Sequence, residues 1–190
     1  MKKNGMFLII ALVIIGVAGL AMVEGYIKPN IESQDQTYQL EQDNPMTHDF
    51  EGLLTFKSPY MGDASNLINL NYRLPIISER THKLDTDNFS AKIIFEEESR
   101  SFDAEWFKRV LIYNSTANFV LIDNLQELQF SFADLTYTVE REAVEGWYGD
   151  VNLSTFQDLE QWEIHVRSKL NDQELVDEFV EKVIGPVDAS

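Results

Sequence analysis

The chain has no cysteine. That excludes disulfides, thiolate nucleophiles, cysteine-ligated metals and attachment through a lipidated cysteine. Basic residues are scarce: 15 Lys and Arg stand against 32 Asp and Glu, a formal net charge of -17. Phosphate-backbone recognition needs clustered cations, so nucleic acid is excluded as a partner. The three histidines, His48, His82 and His165, include no pair at helical metal spacing, and no His-Glu-x-x-His pattern occurs. There is no Gly-x-Ser-x-Gly elbow, no Ser-x-x-Lys and no glycine-rich phosphate loop. The nine glycines fall mostly in the N-terminal apolar stretch or at turns. No cofactor and no catalytic residue can be assigned from these patterns.

What the chain does have is an apolar start. Lys2 and Lys3 precede an almost unbroken apolar run over residues 6–23, and Glu24 ends it. Eighteen such residues make about 27 Å of helix, enough to cross a bilayer. The charge asymmetry places the N-terminus inside and residues 24–190 outside a cell membrane, as a single-pass signal-anchor. Two alternatives share the pattern: a signal peptide cleaved near Ala18-Gly19-Leu20-Ala21, giving a secreted protein, and a buried helix. The expected division is therefore a membrane segment over 1–24, a polar tether over 25–48 and an extracytoplasmic domain over 49–187. The domain is large enough to bury a core without staples.

Within that domain the patterns alternate between the two periods. Residues 53–56 read as a short strand. Asp63 is positioned to cap a helix over 64–71, and Pro75 stops the chain there. Residues 82–87 and 90–96 read as strands paired about Asp87-Asn88, with Ala91, Ile93 and Phe95 on one face. A long helix starting at Ser101 or Asp103 carries Trp106, Phe107, Val110 and Leu111 as its stripe, though Asn114-Ser115-Thr116 suits a helix interior poorly. Strands over 128–132 and 135–139 follow, then helices over 141–147 and 154–169. A last helix with Leu175, Phe179 and Val183 is stopped by Gly185-Pro186. This is an α+β pattern: a small, mostly antiparallel sheet packed against several helices, preceded by one N-terminal transmembrane helix.

Acidic pairs such as Asp85 with Asp87 and Asn88, or Asp123 with Asn124, offer the oxygen chemistry calcium prefers, but the EF-hand glycine and terminal glutamate are missing. Turn-forming roles account for the same residues. Trp147-Tyr148 is a candidate aromatic patch against the plainer reading of core-edge packing.

Three stretches together resemble one family: Ser58-Pro59-Tyr60-Met61-Gly62-Asp63 with Ala64-Ser65-Asn66; Ala117-Asn118-Phe119-Val120-Leu121-Ile122-Asp123-Asn124; and Tyr137-Thr138-Val139-Glu140-Arg141-Glu142-Ala143 leading to Gly146-Trp147-Tyr148-Gly149. They are similar to domain of unknown function 4825, over about residues 51–165. The resemblance implies a membrane- or lipid-anchored exported protein of Bacillus-like bacteria, with no agreed activity. The candidate ligand- or partner-binding residues are Tyr60, Asp63, Asp123, Asn124, Arg141 and Trp147. The leading expectation is a non-enzymatic, membrane-anchored domain that binds a membrane or envelope protein in a sensory or accessory role, with the bilayer contacted through residues 6–23. The alternatives are a small-ligand or calcium-binding module, and a hydrolase using scattered acids.

Overall fold

In the computed structural model, residues 12, 13, 15–76, 78–149 and 151–188 are described. Residues 1–41 form one unit and 42–190 another. In the first unit, helical residues 15–22 run through a π-turn at Val23–Ile27 into helix α1, which continues to the start of the second unit (Lys28–Gln42). Residues 34–41 of α1 are exposed, which suits a sequence rich in Gln, Glu and Asp.

The expected membrane-crossing helix is corrected here. Among the described residues no helix is long and apolar enough to cross a membrane. Residues 6–11 and 14 of the expected span lie outside the described residues. The described apolar part, 15–23, amounts to about 14 Å of helix, half of a bilayer core. It then runs on into Glu24 and the polar α1. The single-pass topology, with residues 24–190 outside, and the bilayer as a partner through residues 6–23 lose their support with it.

The second unit is an α+β fold built on a mixed sheet. Its strands are β1 (Arg80–Asp85), β2 (Ser90–Phe95), β3 (Glu127–Ser131), β4 (Leu135–Glu140) and β5 (Ile184–Asp188). They lie in the order β1-β2-β3-β4-β5. Three neighbouring pairs are antiparallel, but β2 and β3 run parallel, with Ala91 opposite Leu128 and Ile93 opposite Phe130. The parallel pair follows from what joins the strands. A tight turn reverses the chain, whereas helices α2 (Ala64–Arg73) and α3 (Ala104–Leu121) bracket the first hairpin, and α3 carries the chain back before β3 begins. Helices α4 (Arg141–Trp147) and α5 (Gln173–Val183) follow, and between them the helix expected over 154–169 is a succession of short turns: 3-10 at Leu153–Gln157, α at Leu159–Trp162, π at Glu163–Arg167 and 3-10 at Ser168–Asn171.

Two other local expectations change. Residues 53–56 are helical, because Asp49 caps the turn Phe50–Leu53 by accepting from the Gly52 N–H and a 3-10 turn extends it. The last helix does stop ahead of Gly185-Pro186, at Val183, but the dipeptide then enters β5, which adds to β4 at the sheet edge, where a missing proline N–H is tolerated.

One sheet face is apolar. Ala91, Ile93 and Phe95 of β2, Leu128 and Phe130 of β3 and Val139 of β4 are all buried. Against this core lies α3, whose residues 110–121 are buried without a break. A helix buried all round must satisfy its polar side chains internally. Asn118 Nδ2 donates to Asn71 Oδ1 (3.1 Å) and to the Asn114 carbonyl (2.9 Å), while Asn71 Nδ2 donates to Asn118 Oδ1 (3.0 Å) and the Leu67 carbonyl (2.9 Å). Two asparagines thus lock α2 to α3 by exchanging amide bonds. Ser115 Oγ donates back to the Leu111 carbonyl, and Asn114 Nδ2 donates to the Pro75 carbonyl (2.8 Å). Helix α3 therefore runs through Asn114-Ser115-Thr116 without interruption: the Asn114 amide nitrogen and the Thr116 hydroxyl reach Pro75 and Tyr148, Ser115 bonds back within the helix, and Asn114 Oδ1 alone is left buried with no hydrogen-bond partner among the described residues.

Candidate functional site

The three family-like stretches meet at the C-terminal end of α3. A helix leaves its last carbonyls without intrahelical partners, and a buried end must find them elsewhere. Ser58 supplies the first: its N–H donates to the Leu121 carbonyl (2.8 Å), and its own carbonyl accepts the Asp123 N–H (3.0 Å). Gln157 Nε2 donates to the Val120 carbonyl (2.8 Å). Arg141, at the start of α4, supplies the rest. Its Nη2 donates to the carbonyls of Phe119 (2.8 Å) and Ile122 (2.6 Å), and its Nε donates to that of Leu125 (2.6 Å). The guanidinium lies over the Phe119 ring at 5.2 Å. Burial lowers its pKa while Glu145 and Asp123 oppose that shift, and an arginine so placed stays charged.

The six sequence-derived candidates separate in the structure. Asn124 accepts the Met61 N–H at Oδ1 (2.6 Å) and pins the 58–63 loop to the turn after α3. Asp63 caps α2 by accepting the Asn66 N–H (3.1 Å). Asp123 is exposed beside Arg141, and both line a cleft of about 540 Å³ with Glu145, Asn152 and Ser154. Tyr60 is 68 % exposed. Trp147 sits apart from these, edge-on to Phe179 at 5.4 Å with the Lys169 ammonium over its ring. Asp123, Asn124 and Arg141 therefore gather at the end of α3, where Arg141 spends its donors on backbone carbonyls, while Tyr60 and Asp63 lie on the loop that Asn124 pins.

A second cavity, which the sequence patterns did not single out, lies where α2 passes to β1. Pro75 ends α2. Ile76 then adopts φ +83, a region that β-branched side chains avoid, and is held there by donating its N–H to Asp43 Oδ1 (3.2 Å). The chain enters β1 at Arg80, an inward position of the alternating set Arg80, His82, Leu84. Arg80 is only 8 % exposed. Its guanidinium lies 5.5 Å from the Tyr72 ring and 5.8 Å from the Phe95 ring. The Tyr72 hydroxyl donates to the Arg80 carbonyl (3.1 Å), which fixes the strand start against α2.

The Arg80 side chain donates no hydrogen bond among the described residues, and its Nε is fully buried. Ser78 Oγ, His82 Nε2 and Glu97 Oε2 are likewise buried without hydrogen-bond partners among the described residues. Burial lowers the Arg80 pKa, against the opposing influence of Tyr72, Asp43 and Glu97. Burial, then the Arg80 charge, pushes His82 down to about 4, so its imidazole is neutral near pH 7. The cavity holds about 780 Å³ and is lined by Tyr72, Ser78, Glu79, Arg80, Ile94 and Glu96. A fixed planar fork of donors with no partner is suited to a carboxylate or similar planar acceptor. The available sequence signal was an arginine at an inward strand position, visible only once β1 is started at residue 80 instead of 82.

Calcium finds little to bind. Asp85 Oδ1 accepts the N–H groups of Asp87 and Asn88, and its Oδ2 accepts Asn88 Nδ2, which closes the hairpin turn and consumes the carboxylate. Among the described residues there is no group of three or more His, Cys, Asp or Glu able to hold a metal ion.

Comparison with known proteins gives one family match and no wider kinship. Residues 53–142 match the model described as domain of unknown function (DUF4825). No curated protein and no solved structure matches the chain. The match takes in the 58–66 and 117–124 stretches and Arg141, whereas Trp147 lies beyond it. It gives no evidence of a membrane or lipid anchor, so the anchored, exported character implied by the resemblance is corrected together with the transmembrane helix. The expected membrane or envelope protein partner likewise gains no support. The chain is thus similar to a domain family of unknown function over residues 53–142, a stretch that includes both the α3 junction and the Arg80 cavity.

Proposed function

We propose that residues 42–190 form a small-ligand-binding module, with the Arg80 cavity as its site, and that the module binds without catalysing a reaction. The observation that carries this reading is an arginine 8 % exposed that lines a cavity and whose side chain makes no hydrogen bond among the described residues. A buried donor left unsatisfied costs about 1–3 kcal/mol, more when charged. A ligand that accepts from it recovers that cost on binding.

The test is ligand-detected stabilisation of the full chain together with the Arg80 Nε–H resonance in nitrogen-15 spectra. Acetate and leucine serve as probes. Binding moves that resonance and raises the unfolding free energy by about 2.7 kcal/mol at a hundredfold excess over Kd. Arg80→Met removes both responses. A resonance unmoved by either probe refutes the assignment of the site.

A further inference from the structure

The ligand class can be taken further, on the reading that the Arg80 cavity is a binding site. The cavity is not uniformly charged. Arg80 sits at its base, 8 % exposed, with the unpartnered Ser78 hydroxyl near it. Glu79 and Glu96, both exposed, stand at its rim. Between them the wall is made by the Tyr72 ring and Ile94.

We infer that this cavity recognises a zwitterion of the α-amino-acid type, with its carboxylate on Arg80 and Ser78 and its ammonium toward Glu79 and Glu96. A simple anion satisfies the arginine but meets two carboxylates at the rim. A simple cation satisfies the rim but meets the arginine at the base. Only a ligand carrying both signs on groups that flank one carbon is attracted by both ends, and like-charge mismatch is how a site rejects the others. The carboxylate matches the planar donor fork, which a point charge would not. Tyr72 and Ile94 give an apolar side chain a surface to cover, and 780 Å³ leaves room for one.

Three probes of matched shape separate the possibilities: L-leucine, 4-methylpentanoate, which lacks the ammonium, and 3-methylbutylamine, which lacks the carboxylate. Titrations of the full chain follow the Arg80 Nε–H resonance and the amides of 72–76, 78–81 and 94–97. Leucine is expected to bind at least about tenfold more tightly than either analogue, the effect of one lost charged contact. Glu79→Gln with Glu96→Gln should weaken leucine about fivefold or more and leave 4-methylpentanoate unchanged or tighter. Arg80→Met should abolish leucine and acid binding alike. If Arg80→Met fails to fold, Ser78→Ala serves in its place, with an expected loss of about threefold or more for leucine and the acid and none for the amine. Equal affinity for leucine and 4-methylpentanoate, with no response to the glutamine variants, overturns the zwitterion while leaving the binding site intact. No response to any probe up to about 10 mM, weaker than millimolar affinity, overturns both.

Discussion

Replacing Arg141 with methionine removes the donors that close the end of α3 while nearly preserving side-chain length. Three carbonyls lose a charged donor: Phe119, Ile122 and Leu125. The Ile122 carbonyl keeps one weaker partner, the Leu125 N–H at 3.3 Å, so two acceptors are orphaned outright. Each orphaned buried acceptor costs about 1–3 kcal/mol, and the adjoining cleft lets some water return, so the expected loss is about 3–5 kcal/mol. Arg141→Lys keeps the charge but offers a single point of donation, and about 2 kcal/mol is expected. Glu145→Gln removes only the 3.5 Å ion pair with a partly exposed carboxylate and should cost no more than about 0.5 kcal/mol. Urea unfolding of the purified protein reads these differences as midpoint shifts, with about 4 kcal/mol corresponding to roughly 2 M at an ordinary slope for this size. The tie between Arg141 and α3 is refuted if the methionine variant stays within about 1 kcal/mol of the parent, or if Glu145→Gln costs as much as Arg141→Lys. A loss of binding without a loss of stability would instead return Arg141 to the role of a ligand contact.

The Asn71–Asn118 exchange predicts a non-additive cycle: each alanine variant should cost about 2 kcal/mol, and the double variant less than their sum by about 1–2 kcal/mol, because the second change removes a group already orphaned. Additive urea midpoints would mean the two amides act independently. The histidines predict acid sensitivity. His48 donates Nε2–H to the Arg73 carbonyl and so must accept at Nδ1 from the Tyr113 hydroxyl, both at 2.8 Å. Burial holds its pKa below the ordinary value, against the raising influence of the Arg73 carbonyl and Asp49, and Arg167 lowers it further. His82 is lowered to about 4, chiefly by burial and then by Arg80, with the Tyr72 ring packed edge-on to it. With folded values below the unfolded one, stability is full above about pH 6.5 and falls as pH drops toward 4. For half-buried His82 the loss is about 2 kcal/mol after allowing for solvent screening. His82→Gln should flatten that part of the pH profile in thermal unfolding, and an unchanged profile would remove His82 from the explanation.

How much could be read in advance depended on the range of the interactions involved. The β1–β2 hairpin was legible because Ala91, Ile93 and Phe95 alternate and the Asp85 turn is local chemistry. Asp63 as the cap of α2 was legible for the same reason. The continuity of α3 through Asn114-Ser115-Thr116 was not, since the partners of Asn114 and Thr116, Pro75 and Tyr148, are 39 and 32 residues away in sequence. Strand β5 was hidden because Gly185-Pro186 reads as a stop unless the edge of β4 is known to be free for pairing. The apolar start was read as a bilayer span from composition, whereas the described helix carries that character for too few residues. At the sites, Arg141 was read as a binding candidate, but its partners in the structure are backbone carbonyls, which have no sequence signature. Arg80 was missed because starting the strand at residue 82 left it in a loop, where an arginine draws no notice.

The parallel seam between β2 and β3 also sets an order of assembly. Each hairpin can close through its own short turn within microseconds, but neither can join the other until the chain between Phe95 and Glu127 has doubled back along α3. Any agent that holds α3 extended therefore leaves two half-sheets with open edges, the form in which a chain of this kind is most exposed to pairing with its neighbours.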